Sequence, residues 1–507
     1  MSVASARAFS VFNRHKHLCF QKASFVFSRS LVISSHTMSE VKLIEESQPS
    51  GDATSSSASS TLNNTLSNSI TSGSGQSLTS KETIVAQRPW FKRLFPHLPD
   101  YLGPYPVGVH DIETPPNSAK NTKGVLIRLY YPTTLAATKA HSRAKWLPKG
   151  TMYSVGYGSF SKLPTILALA FIYPLLAGVK TPGYLNAPLR HAGKGDDTSP
   201  PLPTRLPCMI FSHGLGGMRT TYSTFCGNIA SQGFIVAAIE HRDGSAAVAS
   251  RNAYKEKIRY RNPNNDDRKP GETVDEYLLR FRRSQVEFKA GEVKEVMQLL
   301  RDLDAGAAIE NLMGTKRTAG FEGQFTGRFD FDNWVMSGHS FGGATCLTAL
   351  QDPSNPFKCG IALDPWMHAV SDARHVDKPF ISVQSENFQW KINLDPLANM
   401  FSHTECSSKS RFGVLRGTAH QDLSDFPPLF PGVMKRIKLS GAGDPIRALQ
   451  LYHEWHMQFL KEELETEVPF GDYPGFEKES KDRPKEIVEG KEAFDMLYAS
   501  IRHDWGR

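Results

Sequence analysis

The stretch 331–350, FDNWVMSGHSFGGATCLTAL, constrains the fold of this 507-residue chain more than any other. Its apolar start predicts a short buried strand, and its apolar end, after a glycine-rich turn, predicts a helix. A strand, the pattern G-x-S-x-G and a helix in this order are typical of a nucleophile elbow, a strained turn that lifts a serine hydroxyl above a sheet edge. Gly338 and Gly342 would let the two backbones approach each other there. Ser340 is therefore a candidate nucleophile, although the bare pattern also occurs in unrelated chains.

The segments on both sides of this stretch alternate between predicted strands and helices. The predicted strands are 124–131 in a leading hairpin, 206–211, 233–240, 358–363, 379–384 and 411–415, and the predicted helices are 222–231, 284–300 and one that begins at Asp444 and Pro445. Strands as continuously apolar as GFIVAAIE are buried on both faces, as in a parallel sheet covered by helices. We therefore predict an α/β fold with a mostly parallel central sheet and helices on both faces. The charged residues 252–273 are predicted to be an inserted loop.

Composition divides the chain into four parts. Residues 1–39 have no Asp or Glu and are rich in basic residues, Ser and Phe, which is typical of a mitochondrial targeting segment; a disordered basic tail, or initiation at Met38, would give the same pattern. Residues 40–88 are rich in Ser and Thr and have too little apolar surface to fold, so we predict a disordered linker. We expect one large domain over 89–465 and a peripheral charged extension over 466–507.

Charge and cysteine content narrow the function classes. The net charge of +8 suits attraction to an anionic membrane surface or to nucleic acid. No zinc-binding spacing, aromatic RNA-binding signature or basic helix accompanies this charge, so we predict no nucleic-acid partner and no metal. Scattered cysteines with mostly apolar neighbours are typical of buried thiols in a reducing compartment. They are Cys19, Cys208, Cys226, Cys346, Cys359 and Cys406.

The run 163–179, LPTILALAFIYPLLAGV, is uncharged and is flanked by Lys162 and Lys180. Its length is at the lower limit for crossing a bilayer, and Pro164 and Pro174 interrupt it, so a transmembrane helix is not expected. Two interpretations remain: a helix buried in the core, or a helix that lies in a membrane interface with its lysines at the level of the headgroups. We favour a lipid-interface segment over 160–180, because the run lies outside the sheet pattern of a basic chain.

A serine nucleophile needs an imidazole that accepts its proton. In hydrolases with this elbow, the acid and then the histidine follow the serine in the chain. His420 directly follows the last predicted strand, where a loop can reach back over the elbow. The other histidines considered are His368, His375 and His403, and also His453 and His456, which fall inside the closing helix and are expected to have a packing role.

A carboxylate must hold the imidazole in the correct tautomer, and two residues could provide it. Asp364 ends the strand after the elbow, at the sheet edge where catalytic groups gather. Glu386 follows the next strand, and its later position suits the usual place of the acid. The spacing leaves both open.

Hydrolysis of an ester through a serine also needs two backbone N–H groups that bind the developing oxyanion. The residue after the nucleophile, Phe341, is expected to provide one of them. The loop 213–216, His-Gly-Leu-Gly, follows a strand at the place where the second donor is expected, and Leu215 is the candidate. A glycine-rich turn that only caps the next helix is the structural alternative.

Several of these segments together resemble a known family. The segments FSHGLGGMRTTYS, GFIVAAIEHRDGS, SGHSFGGAT, CGIALDPWM, SENFQW and RGTAHQD occur in this order and are similar to those of the platelet-activating-factor acetylhydrolase family, the serum and type II intracellular kind. The resemblance covers about residues 103–431. It implies an α/β-hydrolase fold and a calcium-independent serine hydrolase without cofactor, which cleaves the sn-2 acetyl or short oxidised acyl ester of glycerophospholipids.

The resemblance also implies a role for individual residues. It makes Ser340 the nucleophile, Asp364 the acid and His420 the base, with Leu215 and Phe341 as the oxyanion donors. It implies that the apolar run is where the enzyme contacts lipid. The N-terminus, the insertion 252–273 and the charged C-terminus depart from the family pattern, so we expect an intracellular location, cytoplasmic or mitochondrial, with peripheral membrane association. A general carboxylesterase of the same fold and a non-catalytic lipid-binding protein are the alternatives.

Overall fold

The computed structural model describes residues 96–119, 121–193, 199–370, 376–402 and 409–471, together with the backbone of Met496–Tyr498. The predicted targeting segment and linker lie outside the described residues, as do two of the candidate histidines, His375 and His403, and two of the cysteines, Cys19 and Cys406.

Strands and helices alternate along the described chain. The strands are β1 Val107–Glu113, β2 Leu126–Pro132, β3 Arg143–Lys145, β4 Lys180–Leu185, β5 Leu206–Ser212, β6 Ile235–Ile239, β7 Val248–Arg251, β8 Glu256–Arg259, β9 Phe329–His339, β10 Cys359–Leu363, β11 Phe380–Ser385, β12 Arg411–Leu415 and β13 Met496–Tyr498. The α-helices are α1 Leu135–Ala140, α2 Gly150–Phe160, α3 Thr165–Leu167, α4 Tyr173–Leu176, α5 Ser223–Ala230, α6 Val274–Asp304, α7 Phe341–Leu350, α8 Lys391–Ser402, α9 Phe426–Leu429, α10 Pro431–Arg436 and α11 Pro445–Glu463.

One large sheet has the strand order β13-β12-β11-β10-β9-β5-β6-β2-β1-β4-β3. Its central strands from β12 to β6 run parallel. Helices make most of the crossovers between them, such as α5 between β5 and β6, α7 between β9 and β10, and α8 between β11 and β12. At one end the predicted leading hairpin, β1 with β2, adds two antiparallel strands. The carboxyl ends of the parallel strands therefore share one edge, and Ser340 follows β9 at that edge.

Helices cover both faces of the sheet. On one face, Val293 of α6 and Leu347 of α7 pack in one hydrophobic cluster. On the other face, Ile229 of α5 and Trp455 of α11 pack in a second cluster. Both layers are needed because the parallel strands are apolar on both faces. The predicted α/β fold, a mostly parallel sheet with helices on both sides, is confirmed.

The long helix α6 begins ten residues before the predicted start at residue 284. A capping box fixes this start: the Thr273 side chain accepts a hydrogen bond from the Glu276 N–H, and the Glu276 carboxylate accepts one from the Thr273 N–H. The prediction from the apolar stripe alone missed these first turns, although Tyr277 and Phe281 in them are buried. The predicted start of the closing helix is confirmed, with Asp444 as its N-cap and Pro445 at its first position.

The prediction that 252–273 form only a loop is wrong for its first part. Strand β8 pairs with β7 in an antiparallel hairpin. The turn of this hairpin uses three successive residues with positive φ, Asn252, Ala253 and Tyr254, none of which is glycine. The buried carboxylate of Glu113 accepts hydrogen bonds from the N–H groups of Asn252 and Ala253 and so stabilises the turn. This partner is remote in sequence, which is why the turn could not be recognised.

The chain also continues to pack beyond residue 465, where we placed the end of the domain. Val468 is buried against the second cluster, and the ring of Phe470 contacts that of Phe234. The backbone of Met496–Tyr498 adds an antiparallel edge strand to β12. At least part of the C-terminal extension therefore belongs to the folded domain.

The apolar run forms a helical segment over 165–176, here called the apolar helix, in which a π-helical turn, Ala168–Ile172, separates α3 from α4. Ala168, Ile172 and Leu176 face the protein. Ile166, Phe171 and Leu175 lie on the outside and are 78%, 42% and 48% exposed. The run is therefore not a buried core helix. Within the described residues, no helix is long and apolar enough to cross a membrane.

Candidate active site

Ser340 sits between β9 and α7 in a sharply bent backbone conformation, with φ 58° and ψ −115°. Its N–H donates to the carbonyl of Leu363 over 2.8 Å, and its own carbonyl accepts from the N–H of Trp366 over 2.9 Å. Both partners belong to β10 or the loop after it. The turn is thus tied to the neighbouring strand, which compensates for the unfavourable conformation of a non-glycine residue.

The glycines around Ser340 are required by close backbone contacts. A methyl group added at Gly338 would collide with the carbonyl of Gly342, and one added at Gly342 would collide with the carbonyl of Ser212 on β5. At Gly343, the added atom would lie 2.8 Å from Cα of Pro365. The expectation that glycines let strand and helix approach each other at the elbow is confirmed.

The structure brings together three residues that the sequence separates widely. His420 Nε2 lies 2.9 Å from Ser340 Oγ, and His420 Nδ1 lies 2.9 Å from Asp364 Oδ2. Asp364 is fully buried, whereas the edge of the imidazole stays partly open to solvent. The arrangement can move a proton from a serine hydroxyl to an imidazole whose cation is paired with a carboxylate.

Asp364, not Glu386, is the carboxylate at the histidine. Asp364 also accepts hydrogen bonds from the Ser385 N–H over 2.7 Å and from the Ser385 hydroxyl over 2.5 Å, which fixes its orientation. Glu386 instead accepts a hydrogen bond from the Gly417 N–H over 2.6 Å and so holds the loop that carries His420. His368, the other described candidate after the elbow, lies in a short turn beside Trp366.

Two rings enclose the imidazole of His420, and sequence analysis did not identify them. The Phe388 ring stacks on it with centroids 4.0 Å apart, and the His339 ring lies 4.5 Å away on centroid distance. The side chain of Asn387 accepts a hydrogen bond from the His420 N–H over 2.9 Å. The segment SENFQW contains Phe388 and Asn387, so its resemblance to the family was the available signal.

The candidate oxyanion donors lie on two sides of Ser340. Phe341 is the first residue of α7, where helical N–H groups lack an intrahelical partner and the helix dipole favours negative charge. Leu215 lies in a loop whose next residue, Gly216, has φ 73° and donates to the carbonyl of Ser245 over 2.8 Å. An atom added at Gly216 would lie 2.5 Å from the ring of Phe160, so α2 packs directly on this loop.

A buried lysine connects the two donor segments. Lys289, on α6, donates from Nζ to the carbonyl of His213 over 2.7 Å, and Nζ lies 4.7 Å from the ring centroid of Phe341. Burial lowers the pKa of Lys289 to about 8. The sequence analysis missed this residue, although its spacing from Val286 and Val293 places it on the apolar stripe of the helix.

The other histidines near the site are buried and neutral. Burial lowers the pKa of His339 well below the usual value, and burial with the nearby Lys289 does the same for His213. His339 Nδ1 lies 2.8 Å from the hydroxyl of Tyr222, and that hydroxyl accepts from the Gly214 N–H over 3.3 Å. His339 is thereby linked to the loop that carries Leu215.

Among the described residues, one group of side chains could act as metal ligands: His339, Asp364 and His420, whose donor atoms lie within 4.8 Å of one another. His420 is already paired with Asp364 through Nδ1 and with Ser340 through Nε2. The group therefore coincides with the candidate active site.

The fold and the comparisons with known proteins define the class: the chain is a carboxylic ester hydrolase with an α/β-hydrolase fold. A family model described as platelet-activating factor acetylhydrolase, isoform II, matches residues 95–482. The chain belongs to the platelet-activating factor acetylhydrolase family, as the sequence segments predicted.

Individual relatives agree with this assignment. The chain is 31% identical to a platelet-activating factor acetylhydrolase of Canis lupus familiaris, over 78% of this chain and 81% of the relative. It is 32% identical to that of Bos taurus, over 74% of this chain and 78% of the relative. A solved ferulic acid esterase from Streptomyces cinnamoneus shares the fold with a TM-score of 0.50, over 75% of this chain and 97% of its own, at 17% identity.

Proposed function

We propose that this protein hydrolyses the sn-2 acetyl or short or oxidised acyl ester of glycerophospholipids through a covalent acyl-serine intermediate. The observation that carries the proposal is the pair of 2.9 Å contacts that connects Ser340 Oγ to His420 and His420 to Asp364. The name shared by the relatives supports the substrate class.

In the first half of the reaction, His420 Nε2 accepts the proton of the Ser340 hydroxyl while Oγ attacks the sn-2 carbonyl carbon. The oxyanion that forms accepts hydrogen bonds from the N–H groups of Leu215 and Phe341. His420 then gives the proton to the leaving glycerol oxygen, the ester bond breaks, and the acyl group stays on Ser340. Asp364 stabilises the imidazolium throughout.

In the second half, a water molecule gives a proton to His420 and attacks the acyl-serine carbonyl. The same two N–H groups bind the second oxyanion, and the proton returns to Ser340 as the free acid leaves. Loss of one such donor typically costs about two to three orders of magnitude in rate. These protein groups account for nucleophile activation and charge stabilisation, so we propose that calcium is not required.

Aromatic rings near the elbow support a preference for short acyl groups. The ring centroids of Phe341 and Trp366 lie 5.8 Å apart, the Phe388 ring stacks on His420, and Phe160 packs on the loop of Leu215. We propose that these rings limit the space beside Ser340, so that acetyl and short oxidised chains fit there and long saturated chains do not.

We further propose that the segment 160–180 binds a lipid surface, so that the enzyme is a peripheral membrane protein. The exposed side chains of Ile166, Phe171 and Leu175 support this. Because α2 packs on both the apolar helix and the loop of Leu215, lipid contact would occur next to the site.

For the location we propose the cytoplasm or mitochondria, with 1–39 as a targeting segment and 40–88 as a linker. The buried free thiols of Cys208, Cys226, Cys346 and Cys359 support a reducing compartment. A fluorescent fusion of the whole chain should co-localise with mitochondria and lose that pattern without residues 1–39. A diffuse cytoplasmic signal that does not change when residues 1–39 are removed would assign the protein to the cytoplasm instead.

The test of the activity is turnover of phosphatidylcholines with graded sn-2 chain lengths, with and without a calcium chelator. We expect turnover of the acetyl and oxidised short-chain substrates, little of the long-chain ones, and no effect of the chelator. Ser340→Ala should lower kcat by about five to six orders of magnitude and abolish labelling by a fluorophosphonate.

Ser337→Ala is the matched control. Ser337 lies in β9, three residues before Ser340, and its buried hydroxyl has no hydrogen-bond partner among the described residues. It should keep full activity. Equal turnover of water-soluble esters and phospholipids would favour a general carboxylesterase. A wild-type protein that binds lipid but reacts with no fluorophosphonate would overturn the enzymatic proposal.

A further inference from the structure

The part of the chain that contains the apolar helix has no acidic residue. From Thr114 to Gly195 the sequence has neither Asp nor Glu but eleven Lys and Arg. The whole chain has 59 Lys and Arg, so 48 of them lie outside this region, where all 51 Asp and Glu are found. Acidic and basic residues are therefore nearly balanced in the rest of the chain. The positive net charge therefore comes from this one region.

Four exposed lysines of the region lie around the apolar helix. Lys162 is in the turn before it and Lys180 follows it at the start of β4. Lys145 on β3 is the direct cross-strand partner of Lys180. Lys149 precedes Gly150, where an added atom would lie 2.9 Å from the ring of Tyr173 on α4. Together with the apolar helix, these four lysines form what we call the basic apolar face.

None of these four lysines forms an ion pair within the described residues. Asp100 pairs with Arg143, two residues before Lys145 on β3. Like charges directly opposite on neighbouring strands, as in Lys145 and Lys180, destabilise a sheet. Among the described residues, no carboxylate forms an ion pair with either of these two lysines.

The charge pattern identifies the kind of surface that fits this face. Exposed apolar side chains surrounded by lysines match a bilayer whose headgroups are negatively charged. The apolar side chains can insert among the acyl chains, and the lysines can pair with the phosphate groups. A zwitterionic surface would satisfy only the apolar part. An acidic protein would not account for Ile166, which is 78% exposed at the start of the apolar helix.

We propose that the basic apolar face selects bilayers that contain anionic phospholipid, and that this selection determines where the enzyme meets its substrate. The inference rests on the proposed activity at a lipid surface and adds the class of membrane to it. Each lysine near an anionic surface contributes about fivefold to partitioning at low salt, and the contribution decreases as ionic strength rises.

The test is vesicle flotation with the full chain carrying Ser340→Ala, so that binding is measured without hydrolysis. Vesicles of phosphatidylcholine alone are compared with vesicles that also contain phosphatidylglycerol. We expect tighter binding to the anionic vesicles, lost at high salt. At low salt, replacing Lys145, Lys149, Lys162 and Lys180 by Gln should weaken that binding roughly 600-fold and leave the weak binding to phosphatidylcholine unchanged.

The matched control removes the same charge elsewhere, by Gln substitution of Lys294, Lys316, Lys358 and Lys409, on other elements of the fold. Lys358 and Lys409 precede β10 and β12, at the sheet edge opposite Ser340. This control should bind anionic vesicles almost as the parent does. Equal binding to both vesicle types, or equal losses in both quadruple variants, would overturn the proposal.

Hydrolysis of a water-soluble acetyl ester by the wild-type protein and by the lysine variant separates this inference from the proposed function. Equal rates are expected, because none of the four lysines contacts Ser340, Asp364 or His420. No ester hydrolysis by wild type would overturn the proposed function, while the flotation result would still decide the membrane selection.

Discussion

At the scale of single residues, two of the three proposed catalytic residues have a strained backbone. Ser340 and Asp364 both have positive φ, 58° and 41°, although neither is glycine. Such conformations cost about 1–3 kcal/mol each and persist only where the surrounding structure enforces them. The hydrogen bonds from Ser340 to Leu363 and from Ser385 to Asp364 provide that constraint.

Asp364→Asn tests the acid. An amide keeps the size of the carboxylate but does not stabilise the imidazolium and favours the wrong tautomer of His420, so we expect kcat to fall by about 10⁴-fold. The melting temperature should change little, and both are measured on the same preparation. Glu386→Gln is the comparison, and it should lower kcat far less because Glu386 supports only the loop of Gly417. A larger loss in Glu386→Gln than in Asp364→Asn would reverse the assignment.

At the scale of elements, helix α6 contributes more than packing. Its Lys289 ties the carbonyl of His213 to the helix and lies over the ring of Phe341, so one side chain contacts both segments that carry the proposed oxyanion donors. Burying the charged group of Lys289 costs desolvation energy, and an apolar residue at the same position would cover the apolar stripe of α6 without that cost. Its geometric role is therefore to hold the two segments in register.

Lys289→Met should lower kcat by about 10²-fold with little change in KM, because a misaligned oxyanion donor acts on the transition state. Lys289→Arg, which retains a donor and a cation, should restore part of the rate. Lys294→Met, on the same helix but exposed and paired with Asp352, is the control. If the loss in Lys289→Met follows a loss of folded protein at the assay temperature, without rescue by Arg, the positioning role is refuted.

At the scale of the whole molecule, the fold buries several histidines in their neutral form. Burial lowers the pKa of His453 and His456, on α11, to about 3, and burial also lowers those of His213, His241 and His339. The unfolded chain takes up protons at these histidines below about pH 6.5, whereas the folded protein does not. The stability that depends on keeping these histidines neutral is therefore present above about pH 6.5 and is lost progressively as the pH falls towards 3.

We expect His456→Leu to reduce this acid sensitivity. Neither ring nitrogen of His456 has a hydrogen-bond partner within the described residues, so leucine leaves no polar group unpaired. The variant has one such histidine fewer. For each pH unit below 6.5, its unfolding free energy should therefore fall by about 1.4 kcal/mol less than that of the wild type. Denaturant titrations at pH 7 and pH 5 measure this, with the exposed His191→Gln as control. An unchanged difference between the two pH values would contradict the expectation.

Much of the molecule followed from local sequence. The apolar runs predicted the parallel strands because an apolar strand must be covered on both faces, and the pair Asp444 and Pro445 marked the start of α11 because capping is a local interaction. The elbow at Ser340 was predicted because only glycines allow the backbone contacts around it. Order along the chain also predicted the acid and histidine candidates.

Other properties depended on contacts between residues far apart in the chain. Asp364 and His420 are separated by 56 positions and His420 and Ser340 by 80, so local propensity could not decide between Asp364 and Glu386, and only the family resemblance favoured one. The left-handed turn at Asn252 depends on the distant Glu113. Composition by itself determined that the run 163–179 is apolar; only the tertiary structure decided which of its side chains are covered, because burial depends on what packs against a helix.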